Sequence, residues 1–176
     1  MLRVSVPTPE DMHALGHDLA RLAREGDLVI LSGELGAGKT QLAQGIGEGL
    51  DVHGAVISPT FVLTRIHRSK GTGPALVHVD AYRLTSPDEV DDLDLDQTLS
   101  SSVTVVEWGR GLADHLSEDR LDVEILRSPD VEDETRDVIL TPVGSRWDNL
   151  IPEWEALVNQ DMGRDAYADA EGVGDV

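Results

Sequence analysis

The sequence predicts an α/β fold in which helices cover both faces of a central sheet. Residues 28–31 (LVIL) form a continuous apolar run, which is typical of a strand buried on both faces. The glycine-rich segment 33–40 follows this run directly and leads into an amphipathic stretch with helical spacing. Two more short apolar runs, residues 75–79 and 103–106, are each followed by an acidic residue. Open α/β sheets bind their ligands at such strand ends.

The first elements are a short strand and a well-delimited helix. Residues 4–6 are expected to form a strand that Pro7 ends. Residues 8–11 (TPED) are typical of a helix start, because Thr caps free amides, Pro fits the first helical position and acids are favoured in the first turn. Apolar residues then recur at helical spacing, so the helix is expected to reach about Arg24.

The later elements follow the glycine-rich segment in order. We expect a helix from about Lys39 to Leu50 and strands over residues 62–67, 75–79, 103–106, 121–126 and 137–141. Turn residues at 70–74 indicate a hairpin loop between the first two of these strands. Residues 1–145 are expected to form one domain. Residues 146–176 are expected to be an extension, with a short helix near 147–158 and a disordered acidic tail.

Composition narrows the class of protein. The chain has 176 residues, which suits one domain with a buried core. No apolar run approaches the ~20 residues of a membrane-spanning helix, and the N-terminus lacks the apolar stretch of a signal peptide. With no Cys there is neither a disulfide framework nor a thiolate metal site. We therefore expect a soluble, cytoplasmic protein without a membrane partner.

The acidity of the chain argues against non-specific binding to nucleic acid. Its formal net charge is −20, so it repels phosphate backbones at long range. This charge is expected to serve mainly solubility. A single nucleotide can still bind, because a phosphate-binding loop acts through local amides and one lysine.

The glycine-rich segment carries the strongest motif in the sequence. Residues 33–40 (GELGAGKT) match the phosphate-binding pattern G-x-x-x-x-G-K-[ST] without a mismatch. In such a loop, consecutive amides and the N-terminus of the next helix face the phosphates, while the lysine reaches the terminal ones. The motif predicts ATP and Mg²⁺, with Thr40 as a metal ligand. The expected nucleotide-binding residues here are Gly33, Glu34, Leu35, Gly36, Ala37, Gly38, Lys39, Thr40 and Gln41.

Two acids are candidates for completing this site. Asp80 and Glu107 each follow a short apolar run, where strands of the sheet are expected to end. Either could hold magnesium, directly or through water, and either could position the attacking water. The alternative is an acid that faces solvent or pairs with a nearby base such as Arg83.

Other polar and aromatic residues leave two interpretations open. Residues 58–61 could be a switch loop that senses the γ-phosphate, or a plain turn. Trp108 could stack on a base or a partner, although packing is the commoner role of such a residue. His78 lies in a buried run and is expected to be a satisfied core histidine. A solvated face explains the acids at Asp91, Asp92, Asp94 and Asp96.

Together, four motifs in order resemble the TsaE (YjeE) family. They are GELGAGKT at residues 33–40, SPTF at 58–61, HVDAYRL at 78–84 and VEW at 106–108. Each motif is widespread, whereas the ordered set is specific. The resemblance covers roughly residues 4–144. The chain departs from the usual pattern at Gln41, Ala81 and Gly109, and none of these changes removes a charged or metal-binding group.

The resemblance implies more than the residues alone. It implies a three-layer P-loop NTPase fold with a mixed, mostly parallel central sheet flanked by helices. It implies an Mg²⁺-dependent ATPase of tRNA threonylcarbamoyladenosine (t6A) modification, which acts with the TsaB and TsaD proteins, resets that pair by ATP hydrolysis and meets tRNA only indirectly. Such an ATPase is expected to be slow without its partners.

Carried over by position, the resemblance also assigns residues. Lys39, Asp80 and Glu107 are the expected catalytic residues, and Thr40, Asp80 and Glu107 the expected metal ligands. Thr8, Pro9 and Arg110 lie where further nucleotide contacts are expected. The residues expected in the switch or partner region are Ser58, Pro59, Thr60, Phe61, Tyr82, Arg83 and Trp108.

Two other functions are compatible with a phosphate-binding loop. A small P-loop phosphotransferase has a similar size, but it usually carries a mobile, arginine-bearing lid. Lys and Arg total only 14 here, and no basic segment stands out. A nucleotide-gated adaptor without catalysis is the second alternative.

Overall fold

A computed structural model of the chain describes residues 1–130, 133–160 and 171–172. The strands are β1 (Leu2–Val6), β2 (Leu28–Gly33), β3 (Thr64–His67), β4 (Ala75–Asp80), β5 (Ser102–Glu107), β6 (Arg120–Arg127), β7 (Arg136–Val143) and β8 (Glu171–Gly172). The helices are α1 (Pro9–Leu22), α2 (Lys39–Gly49), α3 (Pro87–Asp91), α4 (Asp96–Leu99) and α5 (Leu150–Gln160).

The described strands form one mixed sheet with a parallel centre. Their order is β3-β4-β5-β2-β6-β7-β1-β8. The central strands β4, β5, β2 and β6 run parallel, while β3, β7 and β8 pair antiparallel to their neighbours. The parallel strands β2, β4 and β5 therefore end at one edge of the sheet, where the motifs lie. The predicted hairpin joins β3 to β4.

Helices cover both faces of the sheet, which confirms the three-layer α/β fold. The larger core packs α1, α2 and α5 against one face, with Leu15, Leu42 and Trp154 among its buried side chains. The smaller core on the other face contains Val90 and Leu95 from the segment 87–99, which also carries the acids at positions 91, 92, 94 and 96. This segment contains the short helices α3 and α4, which were not predicted because too few apolar residues mark their period. Its acids are exposed, as expected.

The start of α1 follows the predicted chemistry. The Thr8 side chain accepts a hydrogen bond from the Asp11 amide, and the Asp11 carboxylate accepts one from the Thr8 amide. Pro9 occupies the first turn of the helix. This reciprocal capping satisfies amides that would otherwise lack partners and fixes the point at which the chain enters α1.

The helices α1 and α2 approach closely because glycines face each other between them. A Cβ atom built on Gly16 would lie 2.2 Å from the Leu42 carbonyl oxygen, and one on Gly45 would lie 1.9 Å from that of His13. Any side chain at these positions would push the helices apart. The glycines thus bring α1 next to the helix that carries Lys39 and Thr40.

The segment after β7 packs onto the same core. A single 3₁₀ turn at Ser145–Trp147 precedes α5, so the helix begins at Leu150, three residues later than predicted. Trp147 and Trp154 are buried with α1 and the sheet. The Arg146 guanidinium makes a bidentate ion pair with the buried Asp27, at 2.8 and 2.7 Å. Of the predicted disordered tail, only residues 171–172 are described, and they pair with Leu2 and Arg3.

The strand predicted for residues 62–67 begins at Thr64, because Val62 and Leu63 belong to a turn closed on the Pro59 carbonyl. In the part of the chain that the structure describes, no helix has the length and apolar character needed to cross a membrane.

Candidate functional site

A cleft of about 460 Å³ opens at the carboxyl ends of β2, β4 and β5. Its volume lies in the usual range for small-molecule sites. Every lining residue belongs to the set that the sequence motifs predict: Leu35, Gly36, Gly38, Lys39, Thr40, Gln41, Ser58, Thr60, Asp80, Tyr82, Glu107 and Trp108. Four motifs that are distant in the chain therefore meet in one place.

The glycine-rich loop connects β2 directly to α2. Gly33 ends the strand with φ +146°, and Gly38 caps the helix with φ +112°, so both adopt backbone conformations that favour glycine. A Cβ at Gly33 would also lie only 2.6 Å from the Ile125 carbonyl oxygen. The curl of the loop places the N-terminus of α2, with its unpaired amides and positive dipole, at the cleft.

The Lys39 side chain is buried inside this loop. Its Nζ donates hydrogen bonds to the carbonyl oxygens of Gly33 (2.7 Å) and Glu34 (2.8 Å). The ammonium also lies 3.6 Å from the centroid of the Trp108 ring, a cation–π contact. Burial lowers the pKa of Lys39 below its usual value, and the nearby carboxylates of Glu107 and Asp80 oppose that shift. The loop thus holds a cation at the centre of the cleft.

Thr40 and Glu107 meet across the cleft. The Thr40 hydroxyl lies 2.9 and 3.0 Å from the two carboxylate oxygens of Glu107 and donates to that group. On its other side, Glu107 Oε1 lies 2.8 Å from Nε2 of His78, which is fully buried. The prediction of a satisfied core histidine is therefore right in burial and wrong in the rest, because Nε2 contacts Glu107 and Nδ1 has no partner among the described residues. The only sequence clue is that His78 precedes Asp80 by two residues and so shares its face of β4.

Asp80 is held by the segment 58–60. Its Oδ2 accepts hydrogen bonds from the hydroxyls of Ser58 (2.6 Å) and Thr60 (2.7 Å), and its Oδ1 accepts one from the Tyr82 amide (3.0 Å). Asp80 and Glu107 are register partners on β4 and β5, so the two buried carboxylates are neighbours. Asp80 therefore does not face solvent, and its described partners do not include Arg83, whose side chain is exposed.

Two aromatic side chains form one wall of the cleft. The rings of Tyr82 and Trp108 lie 5.1 Å apart at a tilt of 57°. Trp108 has φ +62°, an uncommon conformation for a bulky residue, and its amide donates to the Leu31 carbonyl (2.8 Å). This backbone turn at the end of β5 directs the indole over Lys39. Trp108 therefore packs, as the commoner role predicts, but it packs on the loop lysine.

The remaining predicted residues lie around the cleft. Thr8 and Pro9 line an adjoining cavity of about 220 Å³ on the α1 side of the loop, together with Gly36, Ala37, Gly38 and Gln41. Arg136 and Glu134, which the sequence analysis did not single out, also border this cavity. Phe61 is 89% exposed, whereas Pro59 is buried.

Arg110 is not placed at the cleft. Its guanidinium lies 3.0 Å from Glu124 Oε1, and Glu124 lines a different cavity beside Gly33 and Glu34. The family resemblance had placed Arg110 among the expected nucleotide contacts.

The oxygen donors at the cleft suit a hard cation. Among residues 1–130, 133–160 and 171–172, no group of three His, Cys, Asp or Glu side chains could hold a metal ion by itself. The Thr40 hydroxyl and the Glu107 and Asp80 carboxylates instead provide a few oxygen ligands. Such a donor set fits Mg²⁺, which proteins usually bind through one or two carboxylates together with water and substrate phosphates.

A phosphate-binding loop between a central parallel strand and a helix, with acids at the ends of the neighbouring strands, defines the class of P-loop NTPase folds. Within this class the chain belongs to the TsaE family. The model of that family, described as threonylcarbamoyl adenosine biosynthesis protein TsaE, matches residues 6–138.

Individual relatives agree with this assignment. The chain is 61% identical over 138 residues to the tRNA threonylcarbamoyladenosine biosynthesis protein TsaE of Streptomyces coelicolor, and the aligned region covers 77% of this chain and 93% of that protein. It is 52% identical over 130 residues to the protein of the same name from Mycobacterium tuberculosis, with 70% and 77% covered. The crystal structure of Bacillus subtilis YdiB matches with a TM-score of 0.70 at 29% identity, covering 92% of this chain and 97% of that one.

Proposed function

We propose that this chain binds ATP with Mg²⁺ in the cleft and hydrolyses it, as the ATPase component of tRNA threonylcarbamoyladenosine biosynthesis. The observation that carries the proposal is the convergence of Lys39, Thr40 and Glu107 at the start of α2. Lys39 supplies a positive charge inside the loop, and Thr40 and Glu107 supply adjoining oxygen donors. These are the groups that phosphoryl transfer in P-loop proteins requires.

The contacts of Lys39 within the loop support phosphate binding. The Lys39 ammonium is engaged with the carbonyls of Gly33 and Glu34, both neutral acceptors. A phosphate oxygen carries a full charge and forms a stronger hydrogen bond with an ammonium than a carbonyl does. Lys39 therefore exchanges one or both carbonyls for the terminal phosphates, while the amides at the start of α2 bind the remaining oxygens.

Thr40, Glu107 and Asp80 are the residues that would hold magnesium. When bound, the ion neutralises negative charge that develops on the transferred phosphoryl group. The Thr40 hydroxyl is within 3.0 Å of both Glu107 oxygens. A metal ion bound to Thr40 would therefore be within reach of Glu107, directly or through one water. Asp80 is hydrogen-bonded to Ser58 and Thr60, so it also ties the proposed switch segment to the site.

The biological role rests on the family. Relatives are named tRNA threonylcarbamoyladenosine biosynthesis protein TsaE. We propose that this chain acts in the cytoplasm on the TsaB–TsaD pair and resets it by hydrolysing ATP. Two features support a protein partner: Phe61 and Tyr82 are exposed beside the cleft, at 89% and 58%. The net charge of −20 is consistent with leaving tRNA contact to the partners.

The decisive experiment is co-purification with TsaB and TsaD, with and without ATP, together with measurement of ADP release. We expect ATP to alter the association and the partners to stimulate hydrolysis. If the chain hydrolyses ATP but binds neither protein in any nucleotide state, only a general ATPase function remains supported. Failure to bind ATP at all would refute the assignment of the loop.

A further inference from the structure

The Glu107 carboxylate is held from two sides by different elements. Thr40 on α2 donates to it from the cleft, and His78 on β4 approaches Oε1 from within the sheet at 2.8 Å. The side chains of His78 and Glu107 are 0% and 3% exposed, so this contact is shielded from competing water. Within the described chain, Oε1 thus has two hydrogen-bond partners and Oε2 has only Thr40.

The sheet makes this contact possible. His78 is the register partner of Val105 on β5, and Glu107 lies two residues further along the same strand. Residues two apart on a strand point to the same face, so the imidazole and the carboxylate are diagonal neighbours. Asp80 follows on that face of β4, opposite Glu107. The histidine therefore lies one layer deeper in the sheet than the two acids of the cleft.

The partners of the imidazole show which of its nitrogens meets Glu107. Nε2 faces a carboxylate, which only accepts hydrogen bonds, so Nε2 carries the proton. Nδ1 is buried and meets no hydrogen-bond partner among the described residues. The geometry therefore gives His78 the role of donor to Glu107 through Nε2.

We propose that His78 is a positioning residue for Glu107, an inference that rests on the proposed ATPase function. By donating to Oε1, His78 fixes the rotamer of the carboxylate and keeps Oε1 tied to the sheet. Oε2 then remains as the oxygen with free lone pairs at the cleft, where it can take a magnesium ion or the attacking water. Without His78, the carboxylate is held by Thr40 alone, and Thr40 is itself needed by the metal.

The test compares two variants of nearly equal shape. His78→Gln keeps an N–H donor near the position of Nε2, whereas His78→Met fills similar space without a donor. We expect His78→Met to lower kcat by ~10–100-fold, as for other residues that orient a metal ligand or catalytic group. Its affinity for ATP should stay within about threefold of the parent chain, because the substitution slows the reaction step and does not remove a group that binds ATP. His78→Gln should recover most of the rate.

His67→Met is the matched control. His67 is also buried and lies on the neighbouring strand β3, but its Nδ1 faces the His53 carbonyl at 3.2 Å and not Glu107. This variant also loses a buried imidazole of the sheet, but it leaves the contact between His78 and Glu107 unchanged. Its kcat should therefore equal that of the parent chain. Equal losses in His67→Met and His78→Met, or a His78→Met enzyme as fast as the parent, would overturn the proposal.

A measurement on the parent chain removes the dependence on folding of the variants. Long-range ¹H–¹⁵N correlation spectra of the imidazole groups report which nitrogen carries the proton. We expect Nε2 of His78 to carry a proton, and a proton on Nδ1 alone would contradict the contact with Glu107. A parent chain that neither binds nor hydrolyses ATP, with or without partners, would instead show that the proposed function is wrong, and it would leave the proton on Nε2 of His78 in place.

Discussion

Gly45→Ala is expected to destabilise the fold by forcing α1 away from α2. A Cβ at position 45 would lie 1.9 Å from the His13 carbonyl oxygen and 2.9 Å from its carbon. Non-bonded atoms of this kind do not approach within about 3 Å, so the helices must separate locally by about 1 Å. The obstructing atoms belong to the backbone of α1, and no side-chain rotation can relieve the clash.

The loss of stability in Gly45→Ala follows from two opposing effects. Overpacking of a tight interface costs about 1–3 kcal/mol, and a backbone clash belongs at the upper end of that range. Ala is the better helix former and returns up to about 1 kcal/mol. The net loss is therefore about 2 kcal/mol. For a chain of this length, each kcal/mol lowers the melting temperature by roughly 2–4 °C, so we expect a fall of roughly 4–8 °C.

The same displacement should reach the cleft. The N-terminal end of α1 borders the phosphate loop, because Thr8 and Pro9 line a cavity with Gly36 and Gly38. Met12 of α1 also packs against Gly38, where an added Cβ would lie 3.4 Å from the Met12 Cγ atom. Moving α1 relative to α2 thus changes the surroundings of the loop. ATP affinity should fall together with stability.

Thermal unfolding followed by circular dichroism measures the first effect, and titration calorimetry with ATP and Mg²⁺ measures the second. Gly71→Ala is the matched control, because nothing lies within 4 Å of a Cβ at that position. The control should melt within about 1 °C of the parent chain, as surface substitutions usually do. If Gly45→Ala melts at the same temperature as Gly71→Ala, the close approach of the two helices is not as described.

Three further predictions concern charged groups. Lys39→Ala should weaken ATP binding about 100-fold or more in calorimetry, because charge-assisted hydrogen bonds contribute about 1.5–3 kcal/mol each; unchanged affinity would refute the loop assignment. Glu107→Ala should still bind ATP but turn it over about 100-fold more slowly or worse, as expected when an oriented acid–base group is lost; a normal rate would remove Glu107 from the mechanism. Burial lowers the pKa of His67 below its ordinary 6.5. The unfolded chain therefore binds this proton more readily, and stability falls as the pH drops from 6.5 towards the lowered pKa. Urea unfolding at pH 8 and pH 5.5 should show a smaller acid loss in His67→Gln, and an equal loss in both proteins would contradict the prediction.

Much of the fold could be predicted because the relevant patterns are local. The cap at Thr8, the buried run before Gly33 and the glycines of the loop each specify backbone conformation through their own residues. The placement of Asp80 and Glu107 at one edge followed from a general property of parallel strands, whose carboxyl ends meet. Periodicity failed at α3 and α4, which are too short to show it.

The contacts among the site residues were not predictable in this way. The donation from His78 to Glu107 depends on the register of β4 against β5, and a shift of one residue would turn His78 to the opposite face. The ring of Trp108 lies over Lys39 because of one unusual backbone angle at the end of β5. Arg110 was assigned to the nucleotide through the family resemblance, and its contact with Glu124 on β6 became visible only in the folded chain.

The sequence by itself therefore determined the class of fold, the backbone of the glycine-rich loop and the family. Each of these depends on residue types at short spacing, where sterics and main-chain hydrogen bonding leave few alternatives. Only the tertiary structure decided which oxygen of Glu107 is tied down, what holds Asp80 and how closely α1 approaches the loop. Those properties arise from distances between strands and helices that are remote in the chain, and such distances follow from packing of the whole core.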